Sequence, residues 1–108
     1  MTRGYIPDAG DLIWLTFDPQ AGRRPALVLS PAAYNEKSGL ALVCPITSRV
    51  KGYPFEVPLP VGLAISSVLL SDHVKSLDWK QRDAEFVARV QAGVLSEVLA
   101  RLAPLLGF

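Results

Sequence analysis

The chain has 108 residues, half of them apolar, which is the size and composition of one compact globular domain spanning residues 1–108. Eleven basic and ten acidic side chains leave a formal charge of +1, so any site for a polyanion must be a local cluster. One cysteine and one histidine exclude an internal disulfide framework and a zinc site with the usual ligands. We expect no metal, no cofactor and, since no apolar run approaches about 20 residues, no membrane span; the reduced cytoplasm is the expected compartment.

Short apolar or alternating segments, each bounded by glycine, proline or a polar turn, predict β-strands along most of the chain. Proline is tolerated at the start of a strand or at a sheet edge, so Pro25 opens the second strand and the proline-flanked fourth strand lies at an edge. A polar turn at 35–39 precedes the third strand. The predicted strands are 11–17, 25–30, 40–46, 54–59, 67–70 with a continuation or bend at 72–79, and 86–90.

The end of the chain changes to helical spacing. Apolar residues recur there every three or four positions from Val94 onward, and Glu97 and Arg101 form an i,i+4 pair on the polar side. Pro104 lacks a backbone donor, so the regular helix is predicted to end near Ala103. Many short strands followed by one helix predict a mainly β fold with a C-terminal α-helix: a small open barrel of strongly bent antiparallel strands.

Most familiar catalytic arrangements cannot be built from these residues. A nuclease with two catalytic histidines is excluded because His73 is the only one, and a Ser-His-Asp triad would also need it. The adjacent Asp72 points to the opposite face if that segment is extended. No glycine-rich phosphate loop is present, so the residues alone predict only a small β-rich domain.

Successive blocks of the sequence resemble, in order and spacing, those of the MazF/PemK/Kid toxins of type II toxin–antitoxin systems. Each block is weak evidence, but together they extend over nearly the whole chain. The resemblance implies an SH3-like or CcdB-like open barrel and a sequence-specific, metal-independent endoribonuclease acting on single-stranded mRNA. The blocks are Gly10-Asp11-Leu12-Ile13-Trp14, Phe17-Asp18-Pro19, Arg24-Pro25-Ala26-Leu27-Val28-Leu29-Ser30, Pro45-Ile46-Thr47 and Lys51-Gly52-Tyr53-Pro54-Phe55-Glu56-Val57.

The resemblance assigns the catalytic pair to Arg24 and Thr47. Attack of a ribose 2′-hydroxyl on the neighbouring phosphorus gives a 2′,3′-cyclic phosphate and a 5′-hydroxyl end, and it builds negative charge on the phosphoryl oxygens. A guanidinium matches that phosphate and can stabilise the developing charge. The threonine hydroxyl can donate one further hydrogen bond, and neither residue needs a metal.

The resemblance also suggests RNA-binding residues. Phe17 could stack on a base, and Lys51, with Arg49 nearby, could hold phosphates. Ser67, Asp72 and His73 match positions that resemble base-reading residues, and many relatives carry glutamine where this chain has His73.

One segment departs from the family pattern. Family members usually have a Glu-Gln-containing loop before the residue that corresponds to Arg24, whereas here Gly22 is followed directly by Arg23, leaving about five residues fewer. Glycine-flanked polar segments are commonly mobile, so we expect the protein to contain such a loop between Gly22 and Arg23 beyond the printed sequence. A true deletion would place catalysis in doubt, since a glutamate of that loop is the proposed general base in relatives.

The resemblance further implies a homodimer and a cognate MazE-like antitoxin whose extended tail blocks the RNA groove, with operator DNA bound only through the antitoxin. Two alternatives remain at this point. One is a CcdB-like gyrase poison of similar fold, against which Arg24 and Thr47 speak. The other is a catalytically inactive small-barrel binding module, which a true loop deletion would favour.

Overall fold

The computed structural model describes residues 4–18, 22–59 and 67–108, and strands dominate this part of the chain. A short helix, α1, covers Ala32–Ser38, and a longer one, α2, covers Ala92–Leu102 and continues as a 3₁₀ turn over Ala103–Leu106. The strands are β1 (Asp11–Asp18), β2 (Gly22–Val28), β3 (Leu40–Thr47), β4 (Glu56–Pro58), β5 (Val68–Leu70), β6 (Lys75–Asp78) and β7 (Glu85–Arg89).

These strands form an antiparallel sheet in the order β4-β5-β3-β2-β1-β7, with β6 also paired to β3. Strand β3 is paired along both edges: β2 lies on one side, while β6 pairs with its first half and β5 with its last two residues. The sheet therefore changes partners in the middle of β3, which is how a short chain bends one sheet around a core. The predicted mainly β, antiparallel fold with a C-terminal helix is confirmed.

Both faces of the central strands are buried, because successive residues of a strand point alternately into two hydrophobic clusters on opposite sides of the sheet. On β1, Leu12 belongs to a cluster that also contains Val94 and Val98 of α2. The next residue, Ile13, belongs to a second cluster with Leu77 and Trp79 on the opposite face. This explains why the central strands are almost continuously apolar rather than alternating with polar residues.

The strand predictions agree with the structure apart from their ends, but Pro25 lies within β2 and does not open it, because the strand begins at Gly22. One helix was also missed. Residues 35–39 were predicted as a turn, whereas α1 covers most of that segment. Two alanines follow Pro31 and favour a helix, and Gly39 ends it with a φ of 75°, in the left-handed region that glycine adopts at low cost. The polar side chains of this short helix concealed the helical pattern.

The chain end follows the prediction closely. Helix α2 ends at Leu102. Pro104 lies at the start of the 3₁₀ turn, where the backbone N–H that proline lacks would have no partner in the helix. Among the described helices, none is both long and apolar enough to cross a membrane.

The expected extra loop before Arg23 is not present in this chain. Gly22 and Arg23 are consecutive residues of β2, and Asp18 of β1 pairs with Gly22. In the sequence only residues 19–21 lie between the two strands, and they are outside the described residues. The expectation of a further loop between Gly22 and Arg23 is therefore wrong.

Asn35 joins the segments around the second cluster. Its side chain is fully buried, and its Nδ2 donates to the carbonyl oxygens of Pro7 (2.7 Å) and Ser30 (3.0 Å). Its Oδ1 accepts from the Ser30 hydroxyl at 2.6 Å, and its backbone carbonyl accepts from the Trp79 indole N–H at 3.0 Å. One residue of α1 therefore fixes the N-terminal segment, the end of β2 and the end of β6.

We predict that Asn35→Ala lowers the free energy of unfolding by about 3 kcal/mol, because buried acceptors lose their donor. Thermal and urea unfolding followed by circular dichroism measures this. Glu36→Ala, an exposed change in the same helix, should stay within about 0.5 kcal/mol of the wild type. A loss below about 1 kcal/mol for Asn35→Ala would contradict the assigned role.

Candidate active site

Two adjoining depressions lie beside the ends of β2 and β3. They share Thr47 and Arg49, so they form one continuous surface, here called the groove. The first has a volume of about 530 Å³ and is lined by Arg24, Pro25, Ile46, Thr47, Ser48, Arg49 and Ser67. The second has a volume of about 290 Å³ and is lined by Thr47, Arg49, Lys51, Tyr53, Glu56, Leu70 and His73.

Strand pairing brings Arg24 and Thr47 together. In the antiparallel ladder between β2 and β3, Ala26 is opposite Pro45 and Leu27 is opposite Cys44. This pairing ends at Ala26 and Pro45, and Arg24 and Thr47, each two residues beyond the last pair, both line the first depression. Residues 23 positions apart in sequence thus meet because backbone hydrogen bonds fix the register.

The two consecutive arginines of β2 have different surroundings. Arg23 is held by a 2.6 Å ion pair between its Nη2 and Glu85, and by hydrogen bonds to the carbonyl oxygens of Arg82 (3.2 Å) and Asp83 (2.8 Å). The side chain of Arg24 is exposed and makes no ion pair or hydrogen bond with any other residue in the described ranges. Arg23 is thus a structural residue, and the Arg24 guanidinium can bind a ligand.

Thr47 lies at the end of β3, where the chain turns into the loop 48–55. Its Oγ1 accepts a hydrogen bond from the backbone N–H of Arg49 at 3.1 Å. This contact fixes the oxygen and leaves the hydroxyl hydrogen to be donated. A guanidinium and a hydroxyl donor therefore share the first depression.

The family match follows from the whole sequence. A family described as "PemK-like, MazF-like toxin of type II toxin-antitoxin system" matches residues 8–106. The chain belongs to this family.

Relatives resemble this family member along nearly its full length. Endoribonuclease toxin MazF of Escherichia coli (strain K12) is 46% identical over 112 residues, covering 99% of this chain and 100% of that protein. Endoribonuclease PemK of Escherichia coli is 34% identical over 105 residues, covering 87% and 78%. Because the first alignment is longer than the 108-residue chain, that relative contains residues with no counterpart here.

Solved structures of this family have the same fold. The crystal structure of MazE–MazF (Form-III) from Deinococcus radiodurans matches with a TM-score of 0.90 and 61% identity, covering 96% of this chain and 99% of that one. MazF (Form-I) from the same organism matches with a TM-score of 0.89 and 60% identity, covering 96% and 99%. These matches favour the toxin over the CcdB-like and inactive-module alternatives.

The groove of this PemK/MazF-family chain contains most of the RNA-binding residues predicted from the sequence. Ser67 lines the first depression, and Lys51 and His73 line the second. Asp72 lies beside the groove, with its Oδ1 3.8 Å from Nε2 of His73. That oxygen is buried and has no hydrogen-bond partner among the described residues.

Phe17 is not brought to the groove. Its side chain packs, half-buried, against the second hydrophobic cluster, and its carbonyl oxygen accepts from Arg82. The described lining of both depressions does not include it. Phe17 therefore packs outside the described groove lining, and its base-stacking role stays a prediction.

Among the groove residues that the sequence does not predict as site residues, three have charged or aromatic side chains: Arg49, Tyr53 and Glu56. The sequence marks Arg49 only as a neighbour of Lys51 and indicates no role for Tyr53 or Glu56. Tyr53 is 51% exposed, and an exposed aromatic side chain in a loop with two cations is a signal typical of single-strand binding. No comparable sequence signal identifies Glu56, because its surroundings depend on tertiary contacts.

An apolar slot of about 140 Å³ adjoins the groove. It shares Pro25, Ile46 and Ser67 with the first depression, and it extends to Leu12, Trp14, Leu59 and Val87. Trp14 is 42% exposed there. The groove thus joins a cationic region to an apolar one.

Cys44 does not contribute to the chemistry of the site. The side chain is fully buried in the first cluster, and burial raises the pKa of its thiol to about 12. A thiol in that environment is not a thiolate at neutral pH, so the predicted role as a small buried apolar residue is confirmed. In the described ranges, no three His, Cys, Asp or Glu side chains are grouped to hold a metal ion.

The two arginines should differ in their effect on stability. We predict that Arg23→Ala lowers the free energy of unfolding by about 1 kcal/mol, because it removes a partly exposed ion pair and several hydrogen bonds. Arg24→Ala should change it by less than about 0.5 kcal/mol. Urea unfolding of both variants measures the difference, and the reverse order would contradict the assignment.

Proposed function

We propose that this protein is the endoribonuclease toxin of a toxin–antitoxin pair and that it cleaves single-stranded RNA, including mRNA, in the groove. The observation that carries the proposal is that the Arg24 side chain, which pairs with no other side chain in the described ranges, lines the same depression as Thr47. Membership of the PemK/MazF family supports it, as do the names of the relatives, which are endoribonucleases.

In the proposed reaction the ribose O2′ attacks the adjacent phosphorus and the bond from phosphorus to O5′ breaks. The products are a 2′,3′-cyclic phosphate and a 5′-hydroxyl. The Arg24 guanidinium lies against the phosphoryl oxygens and stabilises their growing negative charge. Thr47 donates its hydroxyl hydrogen to one of these oxygens, and no metal ion is needed for either role.

The proton of the 2′-hydroxyl needs an acceptor other than a glutamate of the loop before Arg23, which this chain does not have. His73 lines the same groove, and an imidazole nitrogen can accept a proton. Solvent entering the open groove is the other acceptor, and it also supplies the proton that the departing O5′ takes up to become the 5′-hydroxyl. Either route is compatible with the Arg24 and Thr47 roles.

The rest of the groove can bind the RNA strand on both sides of the cleaved phosphate. Arg49 and Lys51 are exposed cations suited to flanking phosphates, and Tyr53 offers a face for base stacking. Ser67, Asp72 and His73 provide donors and acceptors for base edges. The local cations explain how a chain with a net charge of only +1 can bind a polyanion.

The proposed partners are a second copy of the chain and a cognate MazE-like antitoxin. We expect the toxin to associate with operator DNA only when it is bound to the antitoxin. A solved relative from Deinococcus radiodurans is a MazE–MazF complex, which supports an antitoxin partner. Carboxylates of an acidic tail can occupy the positions that Arg24, Arg49 and Lys51 hold for phosphates. Since mRNA is the substrate, the proposed compartment is the cytoplasm.

We predict that Arg24→Ala lowers the cleavage rate of single-stranded RNA by about 100- to 1,000-fold, the scale for losing one preorganised donor to transition-state charge. The assay contains excess EDTA, in which the wild type should remain active. Arg23→Ala, tested below its melting temperature, is the matched control and should stay within about threefold of the wild type. An active Arg24→Ala protein, or a wild type inactivated by EDTA and restored by Mg²⁺ or Zn²⁺, would refute the mechanism.

We also predict that an antitoxin tail and an uncleavable RNA, with a 2′-deoxyribose at the cleavage position, compete for one groove of a dimeric toxin. Fluorescence anisotropy of the labelled RNA should fall as antitoxin is added, and higher salt should weaken both ligands. Light scattering tests the dimer. Simultaneous, full-affinity binding of both ligands would exclude the shared groove, and a monomer at micromolar concentration would exclude the dimer.

A further inference from the structure

Glu56 is a buried carboxylate in the wall of a groove otherwise suited to phosphates. Only 8% of the residue is exposed, although it lines the second depression together with Arg49 and Lys51. An unpaired carboxylate in such a place would be costly to bury and would repel RNA. Its contacts explain why the groove contains it.

The carboxylate of Glu56 accepts hydrogen bonds from three consecutive backbone N–H groups. Lys51 donates to Oε2 at 3.0 Å and more weakly to Oε1 at 3.3 Å. Gly52 and Tyr53 donate to Oε1 at 3.0 Å and 3.2 Å. The Glu56 N–H in turn donates to the Tyr53 carbonyl at 3.0 Å, which closes a compact turn.

This turn has a conformation that needs support. Gly52 has a φ of 76°, in the left-handed region, which lets successive N–H groups converge on one anion. Exposed side chains leave this turn on both sides of the glycine: Lys51 and Tyr53. The carboxylate thus holds the backbone of a segment whose side chains face the groove.

The far end of the loop is attached separately. The Phe55 carbonyl accepts from both the backbone N–H and the hydroxyl of the fully buried Ser71. The Pro54 carbonyl accepts from Arg101 of α2, which also forms a 2.9 Å ion pair with Glu97. These contacts fix residues 54–55, and the Tyr53 ring lies 6.1 Å from the ring of Phe55. The backbone N–H groups of residues 51–53 are bound by Glu56.

We infer that Glu56 is a positioning residue for RNA binding: it orders residues 51–53 so that Lys51 and Tyr53 are preorganised on the groove wall. The inference rests on the proposed RNA-cleaving function. The negative charge of Glu56 is directed at backbone N–H groups and not at the ligand. The catalytic pair is held by strands β2 and β3, so Glu56 affects substrate affinity more than the chemical step.

Glu56→Gln separates this inference from a simple charge effect. The change makes the groove more positive by one unit, so electrostatics alone would tighten RNA binding. Loss of positioning instead weakens it, because a neutral amide accepts from backbone N–H groups less strongly and its NH₂ group is a donor. We expect the Kd for the uncleavable RNA to rise about tenfold, while kcat at saturating RNA changes by less than about threefold. An unchanged or lower Kd would overturn the inference.

Asp11→Asn is the matched control. Asp11 is also a buried carboxylate, 4% exposed, but it accepts from Tyr5 and pairs with Arg89 and does not line the groove. This variant should lose stability without losing RNA affinity. An equal loss of affinity in both variants would show that lower stability, and not position, is responsible.

A double-mutant cycle with Lys51→Ala tests the proposed route. If Glu56 acts by ordering residue 51, Lys51→Ala should weaken RNA binding less in the Glu56→Gln background than in the wild type. Strict additivity would exclude action through Lys51. Should Glu56→Gln fail to fold, Glu56→Asp, which keeps the charge on a shorter side chain, replaces it in the cycle.

Amide hydrogen exchange measures how well the backbone of residues 51–53 is ordered in the absence of RNA. The N–H groups of residues 51–53 should exchange at least about tenfold faster in Glu56→Gln, while those of β2 and β3 remain protected. If the wild type neither binds nor cleaves RNA, the proposed function is refuted. Faster exchange in Glu56→Gln would then still show that Glu56 orders the loop. Unchanged exchange would refute the positioning role, whether or not RNA is cleaved.

Discussion

The backbone hydrogen bonds along both edges of β3 are the constraint on which the rest of the molecule depends. They join β2 to one side and β6 and β5 to the other, and this change of partner bends the sheet. The same strand pairing brings Arg24, Thr47 and Ser67 to one depression. A slip of one residue would reverse every side chain of β3 and exchange core positions for groove positions.

Neighbouring regions of the molecule must do two different things: bury apolar side chains in the core and keep polar side chains accessible in the groove. The central strands bury apolar side chains on both faces, whereas the ends of β2 and β3 leave a cation and a hydroxyl accessible. Arg23 supports the sheet, and the next residue along the chain is left for a ligand. The loop 48–55 follows the same division, because its backbone is bound by buried groups while its cationic and aromatic side chains remain outside.

Local sequence pattern was sufficient for most strands and for α2, because apolar periodicity and proline positions directly reflect burial and backbone donors. It failed for α1, whose short polar run resembles a turn. The groove could be inferred at Arg24 and Thr47 only from the family resemblance, since their meeting depends on a long-range register. Glu56 was missed for a related reason: the donors that bind its carboxylate are backbone groups, which have no sequence signature. Phe17 shows the converse, because an aromatic residue near the end of a strand can pack against the core as well as stack on a base.

The hydrogen bond from Arg101 to the Pro54 carbonyl has a consequence for synthesis of the protein. It joins residues 47 positions apart, and its donor lies seven residues before the last residue of the printed chain. The N-terminus of a protein leaves the ribosome first during synthesis, so β2 and β3 emerge before α2, whose Arg101 contacts the loop of the groove. Contacts of such long range form late in folding. The nascent chain therefore carries Arg24 and Thr47, the proposed catalytic pair, before the hydrogen bond that braces the groove wall can form.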